Sequence, residues 1–184
     1  MKVDKTWNGL KQIENGDYVL EGDLISEDNL EIDLDDHLVV CGCVVAKNAI
    51  IVRCGLKVRG IIKAGHGIKT GCGIESGWSI KAGWGIEAGH DIKAGWSIKS
   101  GWGIKVSSGI IAGDGIEACH GIEAGLGIVA GNGIEAGSFI SAGKRIFAGV
   151  SVCHASENCK KTIRCAELRN GEICYGDLVI TKGE

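Results

Sequence analysis

Residues 77–99 read GWSIKAGWGIEAGHDIKAGWSIK. Ile80, Ile86, Ile92 and Ile98 recur at every sixth position, each followed by a charged residue and then by Ala82, Ala88, Ala94 or Ser100. An aliphatic–charged–small triplet is strand alternation, with the first and third side chains on one face and the charge on the other. Gly follows at 83, 89, 95 and 101, as expected for a corner with unusual φ and no room for a Cβ. A helix cannot use this period, because six residues are out of phase with 3.6 and Gly recurs too often. Each hexad is predicted to be one short strand and one corner.

The phase extends in both directions. Ile recurs at 62, 68, 74, 104, 110, 116, 122, 128, 134, 140 and 146, Val152 closes the series, and Leu56, Ile50, Val44, Leu38 and Ile32 carry it backward. The charged residues decide how many hexads make one coil. Coils stack about 4.8 Å apart, so residues one coil apart are neighbours. A 12-residue coil would pile Lys57, Lys69, Lys81, Lys93 and Lys105 into one column of like charge. An 18-residue coil alternates Lys69, Glu87, Lys105 and Glu123, and likewise Lys57, Glu75 and Lys93. Stacked opposite charges help by a few tenths of a kcal/mol and like charges hurt similarly. Trp-Ser-Ile-Lys at 78–81 returns at 96–99, with the same spacing. The fold class predicted is all-β, a single parallel β-helix with a triangular cross-section, three six-residue faces per coil and undetermined handedness. Residues 32–152 form the helix, residues 1–31 an acidic N-terminal cap, and residues 153–184 a C-terminal cap or fold-back segment. Tyr18, Leu20, Leu24 and Ile25 are candidates to plug the first coil, and Ile163, Ile173, Leu178 and Ile180 the last.

Composition narrows the classes. Thirty-one Gly with no Pro fits neither collagen nor a proline-rich linker, and 45% hydrophobic residues exclude a disordered chain. No secretory segment or 18-residue apolar run is present, so the expectation is a cytoplasmic protein with no membrane partner. Nine Cys there imply reduced thiols. The net charge of −3 is uneven, because residues 1–40 hold eleven carboxylates against Lys2, Lys5 and Lys11. The run Glu27, Asp28, Glu31, Asp33, Asp35 and Asp36 reads first as a solvated cap and second as a phosphate-backbone mimic.

The hexads resemble those of parallel β-helix proteins over about two thirds of the chain. In left-handed acyltransferase helices a small residue stands four places after the aliphatic one. Here Ile-Lys-Ala-Gly-Trp-Gly puts Gly at three and often Trp or His at four. The Gly-x-Ile-x-Ala spacing is closer to bactofilin-like helices, which implies a polymer-forming structural role. The tandem Gly-Ile-Glu-Ala-Gly-Trp style also resembles β-helical anti-CRISPR inhibitors of phages and mobile elements, which implies blocking of a host defence nuclease.

Stacked at 18, the rows bearing Lys63 and His66, then Trp78, Lys81 and Trp84, then Trp96, Lys99 and Trp102, form a basic aromatic plaque. Trp beside cations is the composition of binding hot spots and of platforms for bases or sugars. The structural alternative is that the rings are ladders that stiffen the corners. The expected partner is a protein or a protein–nucleic-acid complex, with direct nucleic-acid contact open. Ile111, Val129 and Phe147 would make an outward apolar stripe, covered by the tail or by a second subunit in a homodimer. Cys54, Cys72 and His90 share a column, and Cys153, His154, Cys159, Cys165 and Cys174 cluster near the end. No Cys-x-x-Cys occurs, so these read as structural thiols; no metal or cofactor is expected. His66, His90 and His120 are the candidate bases of an acyltransferase, but no inserted loop breaks the hexads. The expectation is a non-catalytic binding scaffold. An ice-binding array would need ranked Thr, and the chain has four.

Overall fold

The computed structural model of the chain describes residues 1–150 and 161–181. It is a parallel β-solenoid of about eight turns with 18 residues per coil. The register states this directly: Ile68 pairs with Ile86, Ile86 with Ile104, and Ile104 with Ile122. Strands such as Ile80–Ala82 and Ile86–Ala88 are three residues long, buried at both ends and exposed in the middle. Three faces result, named here by their outward residues: the Lys69 face, the Ile111 face and the Lys81 face.

The core is built from columns. Ile62, Ile80, Ile98, Ile116 and Ile134 are all 0% exposed and stack on the Lys81 face. Removing one such side chain to Ala costs about 2–5 kcal/mol, because the stack cannot collapse into the hole. Inward polar residues are few and satisfied. Ser76 Oγ donates to the Gly60 carbonyl at 2.8 Å, and Thr70 Oγ1 to that of Cys72 at 2.9 Å.

The corner glycines obey one half of the sequence argument and not the other. A Cβ on Gly83 would lie 1.9 Å from the Gly65 carbonyl oxygen of the preceding coil. Positive φ occurs only at Gly9, Gly16, Gly22, Gly149, Gly171 and Gly176 among the described residues. Of the corners that follow the Ile hexads only Gly149, after the last, is among them, and the others lie outside the left-handed region. Close stacking of coils, not backbone conformation, demands Gly there.

Both predicted boundaries shift. Tyr18 pairs with Leu38, Leu24 with Val44 and Leu30 with Ile50, so residues 18–33 already form a coil, one of 20 residues. Ile32 pairs with Val52, which puts it at the third strand position and Leu30 at the first. Two extra residues after Ile32 reset the phase, and Leu34, 1% exposed, fills the core beside them. Below this coil, Lys2–Asp4 pairs parallel with Leu30–Asp33, and Leu10–Gln12 pairs antiparallel with Tyr18–Leu20. Tyr18, Leu20 and Leu24 are buried, as a plug requires, but Ile25 points outward at 58% exposure.

At the other end, Ile134 pairs with Ile163, 29 residues on, so extra chain enters between them. Val152, Cys153, His154 and Cys159 lie outside the described residues. Thr162–Cys165, Glu167–Tyr175 and Asp177–Ile180 do not fold back; they continue the stack.

Candidate interaction surface

The fourth residue after each strand-opening Ile stands outside the core, so its size is unconstrained by packing. Four such positions hold Trp78, Trp84, Trp96 and Trp102, with 55%, 64%, 59% and 62% of their surface exposed. They fall on two corners. Trp96 N–H donates to the Trp78 carbonyl at 2.8 Å, placing these two on the corner before the Lys81 face. Trp84 N–H donates to His66, Trp102 to Trp84 and His120 to Trp102, forming the corner after it.

The rings pair off along each corner. Trp78 and Trp96 stack at 5.3 Å and 15°, His66 and Trp84 at 4.7 Å and 17°, and Trp102 and His120 at 3.9 Å with a 31° tilt. Each indole is stacked on one face only, leaving its other face and its edges toward solvent. That geometry offers a partner both apolar ring faces and ring edges, as hot-spot aromatics do.

Between the corners runs the register Lys63, Lys81, Lys99, Glu117, Glu135. Lys99 Nζ donates to both Glu117 oxygens at 2.8 Å, and Arg164 lies 3.6 Å from Glu135. Among the described residues Lys63 and Lys81 make no ion pair. The recess on this face is lined by Lys81, Lys99, Glu117 and Glu135 and by no Trp. The indoles instead border the neighbouring faces. His66, Trp84, Trp102 and His120 line an open groove of about 660 Å³ with Phe139 and the Lys69 face, whose Lys69–Glu87 and Lys105–Glu123 pairs stand at 3.3 and 3.5 Å. Gly85 and Gly103, lacking side chains, leave the trough beside these rings. Trp96 lines a recess with Ile111, Val129 and Val150.

The basic aromatic plaque is therefore three parallel strips: an aromatic corner, a Lys81 strip turning acidic, and a second aromatic corner. The structure brings Trp84 and Trp102 together with His66, and Trp78 with Trp96. Lys81 and Lys99 share a recess between the two corners. No family model, curated protein or solved structure matches this chain.

The apolar stripe is present. Ile111 pairs with Val129 and Val129 with Phe147, and Ile111 is 44% exposed. The described C-terminal strands leave it open: Phe147 pairs with Tyr175, 41% exposed, which lengthens the stripe by one rung.

Among the described residues none of the three candidate bases forms an ion pair with a carboxylate. His66 and His120 belong to the ring stacks, and His90 lines a recess with Cys72, Asp91 and Glu75. Cys54 stacks under Cys72, whose N–H donates to the Cys54 carbonyl at 3.0 Å. Burial, then the neighbouring Cys72, pushes the Cys54 thiol above its ordinary pKa, which makes it a weak nucleophile.

One cluster escaped sequence reasoning. His37 Nδ1 lies 3.5 Å from both Asp17 Oδ1 and Asp36 Oδ1. These ligating atoms all fall within 4.8 Å of one another. The 20-residue first coil aligns Asp17 with His37, which an 18-residue phase conceals. Among the described residues no helix is long and apolar enough to cross a membrane.

Proposed function

We propose that this protein is a rigid, non-catalytic scaffold that grips a protein partner by the aromatic rings of its two Trp corners. Four indoles, each more than half exposed on a frame whose core is otherwise closed along its length, carry the proposal. Trp is the residue most enriched at binding hot spots, and large exposed aromatics seldom cluster on a surface without a partner. Rigidity adds to this, since no loop ordering opposes association. The Lys81 strip between the corners orients the partner by charge: Lys63 and Lys81 make no ion pair among the described residues, while Glu117 and Glu135 are neutralised by Lys99 and Arg164. A blocking role against a nuclease, which the resemblance to phage-borne inhibitors implies, needs only such a surface. Against an open-ended polymer stands the N-terminal hairpin, with Trp7 and Leu10 packed against the core.

Trp84→Ala with Trp102→Ala tests the proposal. Hot-spot truncations cost about 2 kcal/mol or more each, so the pair should weaken binding at least several-hundredfold. Capture of a partner from host lysate, with and without nuclease treatment, is followed by titration of the purified partner. Ile111→Ser is the comparison: Ile111 borders Trp96 but not the Trp84–Trp102 groove, and its loss should cost far less binding than the double variant. A Trp double variant that binds like the parent and only melts earlier would reduce the rings to structural ladders. Loss of capture after nuclease treatment would replace the protein partner with a nucleic acid.

A further inference from the structure

The two ends of the solenoid are finished differently. At the N-terminal end the innermost layer is covered: Val3, Leu24 and Leu30 are at most 3% exposed, and the chain turns back as an antiparallel hairpin. At the C-terminal end the same kind of layer is bare. Leu178 pairs with Ile163 and Ile180 with Cys165, so both occupy inward, core-register positions. Ile163 and Cys165 are 0% exposed, whereas Leu178 is 41% and Ile180 47% exposed. Leu168 and Ile173 continue the Ile140 and Ile146 columns and are only partly buried. Among the described residues nothing pairs with the outer edges of Glu167–Tyr175 or Asp177–Ile180.

A sheet edge left open over an apolar layer is a surface that natural proteins cover, twist or charge. Here the inward apolar side chains of the last layer are left uncovered, and the charges of the edge strands, Glu167, Arg169, Glu172 and Asp177, are scattered without forming a run. We propose that a second copy of this chain covers this end, the two C-terminal coils meeting about a twofold axis. Three features favour this occupant. Backbone edges lie on the sides of a triangle, and another solenoid end matches that outline with edges of its own. The described residues 161–181 are charge-balanced, with Lys161, Arg164 and Arg169 against Glu167, Glu172 and Asp177, so self-approach meets no net repulsion. Like-with-like contact at the opposite end would bring together two copies of an acidic, hairpin-closed surface. The association is thus isologous and stops at two. Each dimer would carry its aromatic corners twice at a fixed separation, so a partner with two copies of its own site would gain avidity. The proposal stands independently of what the Trp corners bind.

Sedimentation equilibrium of the full chain across a concentration series is the test, with Leu178→Lys combined with Ile180→Lys as the perturbation. Both side chains are exposed in the single chain, so the variant should keep its far-UV spectrum and its melting temperature at high dilution. The expected result is a parent that dimerises and goes no further, and a variant whose dimer constant is at least a hundredfold weaker. Amide exchange gives an independent readout: residues 177–180 should gain protection in the parent as concentration rises, and residues 80–98 should not change. A parent that stays monomeric, or one that grows into longer assemblies, overturns the proposal. So does a dimer that survives the double variant but is lost in Ile111→Ser, which would move the interface to the stripe.

Discussion

Gly83→Ala tests the stacking argument at a single atom. A Cβ there would sit 1.9 Å from the Gly65 carbonyl oxygen, against a limit of 3.0 Å below which such contacts essentially do not occur. The obstacle is backbone, so no side chain can swing aside, and the two coils must separate locally by about 1 Å. The hydrogen bonds nearest the clash are Gly83 N–H to Ala64 and Trp84 N–H to His66, both 3.1 Å. A further ångström takes both beyond bonding distance. Each lost bond costs about 1 kcal/mol, and up to about 3 where the groups stay dry, so the expected loss is about 2–4 kcal/mol. In a chain of this size that lowers Tm by about 5–15 °C. Gly85→Ala is the matched control, two residues away on the same corner. Its Cβ would meet the Gly103 carbonyl at 3.5 Å, an ordinary contact, and its φ lies outside the left-handed region. That substitution should be neutral or should stabilise by about 0.5 kcal/mol through the unfolded chain. Urea and thermal unfolding followed by far-UV circular dichroism read both variants. If Gly83→Ala and Gly85→Ala unfold together, the coils do not approach as described, and the role assigned to the corner glycines is wrong.

Two further outcomes follow from the titrating groups. Hydrogen bonds from Lys2 and Lys5 hold the Asp33 and Asp35 carboxyls below their ordinary pKa. Folded values below the unfolded ones mean stabilisation that is present above about pH 4 and lost as pH falls through the folded values. Protection factors of Lys2–Asp4, corrected for intrinsic exchange at each pH, should therefore fall on acidification relative to those of Ile80–Ala82, and an equal fall in both would count against this anchor. Burial raises the Cys165 and Cys54 thiols, so both should alkylate with iodoacetamide at pH 8 more slowly than the exposed Cys119 and Cys174. Peptide mass spectrometry showing uniform labelling would refute that ordering.

Much of the fold is legible because one physical rule repeats. Ile at every sixth position fixes the strand, and the charges fix the coil: Lys69 with Glu87, Lys99 with Glu117 and Lys105 with Glu123 are the ion pairs that an 18-residue stack requires and a 12-residue stack forbids. These pairs lie on the surface and are worth about 1 kcal/mol or less each, so they report the register more than they hold it. Legibility fails where the rule is interrupted. Leu30 and Ile32 are both aliphatic and two apart, so either fits the opening position of a strand, and only the pairing with Ile50 and Val52 decides between them. The same slip conceals the His37 cluster.

The interaction surface fails to be legible for a different reason. Sequence phase places Trp84 one corner beyond Lys81, but a corner residue can lean toward either adjoining face. The residue after it decides: Gly85 and Gly103 leave a trough beside the rings, whereas Ser79 and Ser97 follow the other pair and approach each other at 3.3 Å. Glycine thus does two unrelated jobs within one hexad. Before the ring, as at Gly83, it lets coils approach; after it, as at Gly85, it opens the groove. Only the first is required by the fold, and Ser, Asp or Phe stands at the second position elsewhere, as at 79, 91 and 139. Along the His66, Trp84, Trp102 and His120 column the four glycines differ. A Cβ on Gly85 would make an ordinary 3.5 Å contact with the next coil, whereas one on Gly103 would lie 3.1 Å from the Gly121 carbonyl and one on Gly121 only 2.4 Å from the Phe139 ring. Gly85 is thus the position in the column that packing leaves free to change, and its bare backbone beside Trp84 keeps the groove open there.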